Sequence, residues 1–137
     1  MGVLIDASVL IDHERRRLDV SAQVTGREED AFFLSVITVS ELLHGVHRAG
    51  DASRRARRSA FVETVIDRFP LLPVSLPTAR MHAELWAHLA VAGTPIGSHD
   101  LWLGATCLAH DLTLATSNVR EFQRVPGLRV EDWSQEA

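Results

Sequence analysis

Short apolar runs alternate with longer stretches of helical periodicity along this chain, and this alternation limits the fold more than any other feature. The runs typical of buried strands are Val3–Ile5, Ala31–Val36, Leu71–Ser75, Thr113–Thr116 and Gly127–Val130. Strands that alternate with helices favour a parallel sheet, because the connecting helices cover its two faces. We therefore predict an α/β protein: a three-layer α/β/α sandwich with a central, mainly parallel sheet.

Local signals predict where several of these elements begin and end. Thr38 and Glu41 fit the capping-box pattern, which predicts a helix that starts after Thr38 and stops near Gly50. Ser98 is predicted to cap a later helix in the same way. Pro73 interrupts the run Leu71–Ser75, so we expect that strand at an edge of the sheet.

Bulk properties indicate one globular domain. A chain of 137 residues matches a single domain, which we place at residues 1–133 with a short tail at 134–137. No apolar run approaches the ~20 residues that span a bilayer, and no signal peptide is evident. The single cysteine, Cys107, excludes an internal disulfide and is expected in the core. These features predict a cytoplasmic protein with no membrane partner.

The charge pattern leaves two interpretations open. The formal net charge is −4, and the 14 basic residues are all arginine. Arginines cluster at 15–17 and again between Arg48 and Arg58. The planar guanidinium suits phosphate oxygens, but runs of charge are also typical of solvated helix faces. Net acidity also fits a chain that gathers carboxylates around a cation.

Acidic and amide side chains recur where strands end and helices begin. Asp6 follows the first strand, Glu41 and Asp100 lie near helix starts, and Asn118 and Glu121 follow the fourth strand. In a parallel sheet these positions meet at one edge, where ligands bind. Carboxylates so close together would repel one another without a cation, and oxygen ligands suit Mg²⁺ or Mn²⁺. The pattern predicts metal-assisted hydrolysis of phosphodiesters.

Helix capping is the alternative explanation for each of these residues taken singly. Asp6 suits an N-cap position, Glu41 completes the box with Thr38, and Asp100 complements a helix dipole. An Asn118–Glu121 pair would cap the short segment after the fourth strand. Capping does not explain why all of these residues would meet at one edge of the sheet.

The ordered set of motifs resembles the PIN domain family, and within it the VapC-type toxins of bacterial VapBC toxin–antitoxin pairs. The resemblance rests on Val-Leu-Ile-Asp6-Ala-Ser8, Thr38-Val-Ser-Glu41, Ser-His-Asp100-Leu-Trp and Thr116-Ser-Asn118-Val-Arg-Glu121. It covers nearly the whole chain. It implies a Mg²⁺- or Mn²⁺-dependent endoribonuclease that inhibits translation by cutting RNA. It also implies a homodimer and a cognate antitoxin protein that holds the nuclease inactive.

The resemblance also implies roles for individual residues. Asp6 and Asp100 would be the principal metal ligands, and Glu41 would bind the metal directly or through water. Ser8 and Thr116 would be the hydroxyls that orient ligands or water.

One position departs from the family pattern. Many members carry Asp two residues after the threonine, where this chain has Asn118. Glu121, three residues further on, is the substitute that we expect for that negative charge. The identity of Asn118 leaves open whether one metal ion or two are bound.

Alternative functions follow from the same residues. With Asn118 in place of an acid, the chain would be a catalytically impaired PIN-fold module that binds RNA or protein. Processing of structured DNA is a third possibility, for which the chain is short. The series Glu41-x-x-His44-x-x-His47 is typical of one half of a di-iron site, but a second such motif is missing.

Overall fold

The computed structural model describes residues 1–134. Its strands are β1 (Gly2–Ile5), β2 (Ala31–Ser35), β3 (Leu71–Leu72), β4 (Thr113–Thr116) and β5 (Val130–Asp132). Its helices are α1 (Ala7–Glu14), α2 (Val20–Val24), α3 (Val36–His47), α4 (Ala52–Arg68), α5 (Leu76–Ala92), α6 (Ser98–His110) and α7 (Val119–Phe122). Of the predicted tail 134–137, residues 135–137 lie outside the described part of the chain.

The strands form one parallel sheet in the order β3-β2-β1-β4-β5. β1 lies at the centre, with Leu4 opposite Phe33 of β2 and opposite Leu114 of β4. Side chains alternate across a strand, so Val3 and Ile5 join one hydrophobic cluster and Leu4 joins another on the opposite face. The predicted α/β/α sandwich is confirmed.

Helices cover both faces of this sheet. On one face, Val9 of α1, Leu42 of α3 and Val62 of α4 pack against Val3 and Ile5. On the other face, Leu103 and Cys107 of α6 pack with Leu4, and α5 lies outside them against α6. Cys107 is buried, as predicted for a core residue. Both layers therefore pack against the central strand and so position the residue that follows it.

The capping box predicted at Thr38 is wrong. Helix α3 begins three residues earlier, at Val36, and the hydroxyl of Ser35 accepts the hydrogen bond from the N–H of Ile37 at 3.0 Å. Ser35 ends β2 and caps α3 at once, because no loop separates strand from helix. Thr38 therefore lies inside the first turn. Ser98 is likewise a helical residue, since Gly97 holds the N-cap position of α6.

Two strands also differ from the prediction. Pro73 limits β3 to Leu71–Leu72, at the sheet edge where it was expected. The last strand begins at Val130 rather than at Gly127, because Gly127 has φ 78° and turns the chain. Among residues 1–134, no helix has the length and apolar character to cross a membrane.

Candidate active site

The site lies at the carboxyl edge of the sheet, where the chain leaves the central strand. The N–H of Asp6 still donates to the carbonyl of Ala115 on β4 at 2.9 Å, so the ladder fixes its backbone. The Asp6 side chain is 5% exposed. It occupies the N-cap position of α1 without a side-chain capping hydrogen bond, although the nearby N–H groups of Ala7 and Ser8 lower its pKa.

Two hydroxyls hold the Asp6 carboxylate instead. Its Oδ2 accepts hydrogen bonds from Ser8 Oγ at 2.7 Å and from Thr116 Oγ1 at 2.9 Å. The N–H groups of Ser117 and Asn118 in turn donate to Ser8 Oγ and Thr116 Oγ1. Burial raises the pKa of Asp6, and the hydrogen bonds from Ser8 and Thr116 oppose that rise. Ser8 and Thr116 therefore orient the Asp6 carboxylate.

Glu41 reaches the same site from the middle of α3. It is half-buried, and burial is the main cause of its raised pKa, followed by the negative charge of Asp6. The neighbouring His99, in the first turn of α6, acts in the opposite direction and lowers the pKa of Glu41. Because α3 begins at Val36, capping does not account for Glu41.

Asp100 completes the group from the first turn of α6. Its pKa is raised to about 7, mainly by burial and further by the negative charges of Asp6, Glu41 and Glu121. A helix N-terminus favours an ionised carboxylate, so repulsion and burial outweigh the dipole here. Carboxylates that are distant along the chain thus share one electrostatic environment, as the sequence predicted.

Glu121 and Asn118 lie at the rim of this group. Glu121 Oε1 accepts a hydrogen bond from the N–H of Gly97 at 3.2 Å, which ties α7 to the start of α6. Asn118 is exposed at the N-cap position of α7 and makes no capping bond, so the predicted Asn118–Glu121 cap is wrong. Sequence reasoning missed the role of Gly97, although its place three residues before Asp100 was a usable signal.

The chemistry of the donor set fits a hard divalent cation. The group offers carboxylate and hydroxyl oxygens, and its mutual repulsion is what a cation relieves. Within residues 1–134, no three His, Cys, Asp or Glu side chains already meet at ligand distance. Mg²⁺ does not need three of them, because it commonly keeps several waters and binds through one or two carboxylates.

The structure gives no support to the alternative metal site formed by Glu41, His44 and His47 on α3. His44 and His47 are both exposed on the outside of the helix. Within the described residues, no second acidic and histidine motif joins them into a site. The acids at the edge of the sheet are the group that the fold assembles.

Comparison with known proteins identifies the family of this chain. The family model described as PIN domain matches residues 3–128. Ribonuclease VapC1 of Rickettsia felis is 35% identical over 130 residues, which are 95% of each chain. The tRNA(fMet)-specific endonuclease VapC of Salmonella typhimurium is 35% identical over 100 residues, 73% of this chain and 74% of that one.

Solved structures include one with nearly the same fold. The crystal structure of DNA-bound VapBC from Salmonella typhimurium superimposes with a TM-score of 0.88 at 28% identity, over 97% of this chain and 98% of that one. The sandwich, the buried Asp6 with its two hydroxyls, and the match over nearly the whole length lead to one conclusion. This chain belongs to the PIN domain family, in its VapC group.

Proposed function

We propose that this chain is an endoribonuclease, the toxin of a type II toxin–antitoxin pair, and that it depends on Mg²⁺ or Mn²⁺. The observation that carries the proposal is the electrostatic coupling of Asp6, Glu41 and Asp100, which come from three separate segments of the chain. Support also comes from the ribonuclease names of its relatives. Burial and mutual repulsion disfavour the ionised form of these acids, and a bound cation would stabilise it.

Each acid has a distinct part in this proposal. Asp6 and Asp100 would hold the ion, and Glu41 would bind it directly or through a water molecule. When bound, such an ion stabilises negative charge on the phosphate and lowers the pKa of water, which supplies hydroxide near neutral pH. The substrate is a phosphodiester of RNA, whose own charge the bare acids would repel.

The surrounding side chains position these acids. Ser8 and Thr116 donate to one oxygen of Asp6, which leaves its other oxygen outside this hydroxyl pair. Both hydroxyls favour the ionised form of this carboxylate and so oppose the rise in its pKa that burial causes. Glu121, anchored by the N–H of Gly97, would add negative charge next to Asp100 where Asn118 supplies none.

The proposed partners are a cognate antitoxin protein and a second copy of this chain. Structural neighbours at 28% and 26% identity come from VapBC complexes of Salmonella typhimurium and nontypeable Haemophilus influenzae. Large apolar side chains are exposed on α5, with Trp86 at 63% and Val91 at 91%, which supports a covered helix face. Light scattering of the purified chain, alone and with the co-expressed antitoxin, would measure both assemblies.

The test is RNA cleavage by Asp6→Asn and Asp100→Asn. A first substrate is tRNA(fMet), because one relative is named for that specificity. We expect each variant to lose at least about 100-fold in rate, as when a group that stabilises transition-state charge is removed. Asp67→Asn is the matched control, since Asp67 is exposed on α4. Excess EDTA should stop cleavage by the unaltered chain, and Mn²⁺ calorimetry should show weaker binding to both site variants.

The same assay separates the nuclease from a binding module. Asn118 at the rim favours that alternative, and so does the finding that no three His, Cys, Asp or Glu side chains within residues 1–134 are placed to hold a metal ion. Chain supplied with Mg²⁺ or Mn²⁺ that binds RNA without shortening it would support the binding module. Full cleavage by both Asp→Asn variants, or cleavage in excess EDTA, would rule out the metal-dependent nuclease.

A further inference from the structure

A groove of about 340 Å³ opens beside the carboxylate site, between α1, α3 and α4. We call it the α3 groove and define it by Glu14, Arg15, Glu41, Arg48, Arg58 and Phe61. Its volume lies within the range of small-molecule and cofactor sites. Glu41 belongs both to this groove and to the acid group, so the two are continuous.

The arginines of the α3 groove differ in whether they have partners within the described chain. Arg58 donates to the carbonyl of Gly45 at 3.0 Å and lies 3.7 Å from the carboxylate of Glu14. Arg15 and Arg48 are exposed, and within residues 1–134 their guanidinium groups have neither an ion pair nor a hydrogen bond. With Glu14 matched to Arg58, the groove presents two cations, Arg15 and Arg48, that have no partner among the described residues.

The spacing along α3 fits a strand that leaves the acid group. Glu41 and Arg48 are seven residues apart on the helix, which corresponds to ~10 Å at 1.5 Å per residue. A phosphate flanking the one at the acids would therefore lie near the free guanidinium groups. Phe61 and the apolar wall beneath it offer a surface for the base or ribose between them.

We propose that the α3 groove binds a nucleotide next to the cleaved phosphodiester, with Arg15 and Arg48 on its phosphate. The inference rests on the proposed nuclease function, because it takes the cleaved phosphate to lie at the acids. Arginine binds phosphate through its planar fork, and neither fork is engaged elsewhere in the described chain. An RNA strand is favoured over a protein segment because the free charges are cationic and lie beside a phosphodiester site.

The test compares Arg15→Gln/Arg48→Gln with the control Arg57→Gln/Arg80→Gln. The control removes the same charge from exposed positions that do not line the groove. Affinity is measured by fluorescence anisotropy with a labelled single-stranded oligoribonucleotide in EDTA over a series of KCl concentrations, so that binding is read without cutting. Cleavage of the same RNA is measured with Mg²⁺, and circular dichroism checks the fold.

We expect the groove variant to bind this RNA about 10- to 100-fold more weakly, since a hydrogen bond to a charged group contributes about tenfold. The slope of log affinity against log salt should become shallower by about 0.7, the value for one lost phosphate contact on a single strand. The control should keep most of its affinity.

If both double variants lost RNA affinity equally, the subsite proposal would be overturned, because the loss would then reflect only the change in net charge. Unchanged RNA affinity in the groove variant, with weakened binding of the antitoxin protein, would overturn it in favour of a protein-docking groove. Failure of the nuclease proposal is seen separately, as a wild-type chain that never cuts RNA, because the anisotropy comparison does not depend on cleavage.

Discussion

The Thr116 hydroxyl donates a 2.9 Å hydrogen bond to the Asp6 carboxylate across 110 positions of the chain. The bond joins the ends of two neighbouring parallel strands, β1 and β4, so sheet pairing brings its partners together. Thr116 has no exposed surface, and Asp6 has little. In such surroundings a charged acceptor depends strongly on each donor that it keeps.

Thr116→Val should therefore weaken both stability and catalysis. Loss of the hydroxyl leaves a buried carboxylate with one donor fewer and removes the acceptor for the N–H of Asn118. We expect the free energy of unfolding in urea to fall by about 2 kcal/mol and RNA cleavage to fall by about tenfold. Thr116→Ser keeps the hydroxyl and is the control. Equal cleavage by the Val and Ser variants would contradict the role of this hydrogen bond.

The raised pKa of Asp100 predicts an unusual dependence of stability on pH. Its pKa is about 7 in the folded chain and 3.8 ordinarily, so between these values the folded state binds more protons at this group. Its contribution to stability is full below pH 3.8 and is lost as pH rises through about 7. The stability difference between wild type and Asp100→Asn, measured in urea without metal, should shift against the wild type over this range.

Divalent metal should reverse that trend. A bound cation favours the ionised form of the acids, so added Mg²⁺ or Mn²⁺ should raise the thermal midpoint most at the upper end of the pH range. The shift should shrink in Asp100→Asn and persist in Asp67→Asn. A metal-induced shift of the same size in all three chains would place the ion elsewhere.

Asn118→Asp tests whether the rim lacks an acid. The family resemblance implies a carboxylate at this position, and Asp is favoured at an N-cap such as that of α7. We expect the affinity for Mn²⁺, measured by calorimetry, to rise severalfold, because added ligand charge tightens binding of hard cations. Asn118→Ala is the control for loss of the amide. If Asp and Ala variants bind Mn²⁺ alike, residue 118 does not contribute to the metal site.

Thr38→Val should make the chain more stable. Thr38 has no exposed surface, and its hydroxyl has no hydrogen-bond partner within residues 1–134. Replacing a buried, unpaired hydroxyl with a methyl group of similar shape should raise the free energy of unfolding by about 1 kcal/mol. Thr38→Ser keeps the hydroxyl and loses the methyl, so it should be less stable than the Val variant. A less stable Val variant would show that the hydroxyl is satisfied in solution.

The misplaced capping box shows where local signals stop being sufficient. Thr38 and Glu41 have the capping-box spacing, but Ser35 is an equally favoured N-cap residue, and propensity alone does not choose between them. The choice follows from β2, which pairs with β1 up to Phe33 and carries Ser35 to the sheet edge. Tertiary pairing thus converts Thr38 from a cap into a buried residue.

The sequence by itself determined the α/β class, the parallel sheet and the acids at its edge, because periodicity and strand-end positions are local properties of the chain. Only the tertiary structure decided that Ser8 and Thr116 donate to the same oxygen of Asp6, and that the α3 groove opens beside Glu41. These relations depend on which strands are neighbours and on how far α1, α3 and α4 stand apart. Distances between segments are set by packing of the whole core, and no local pattern encodes them.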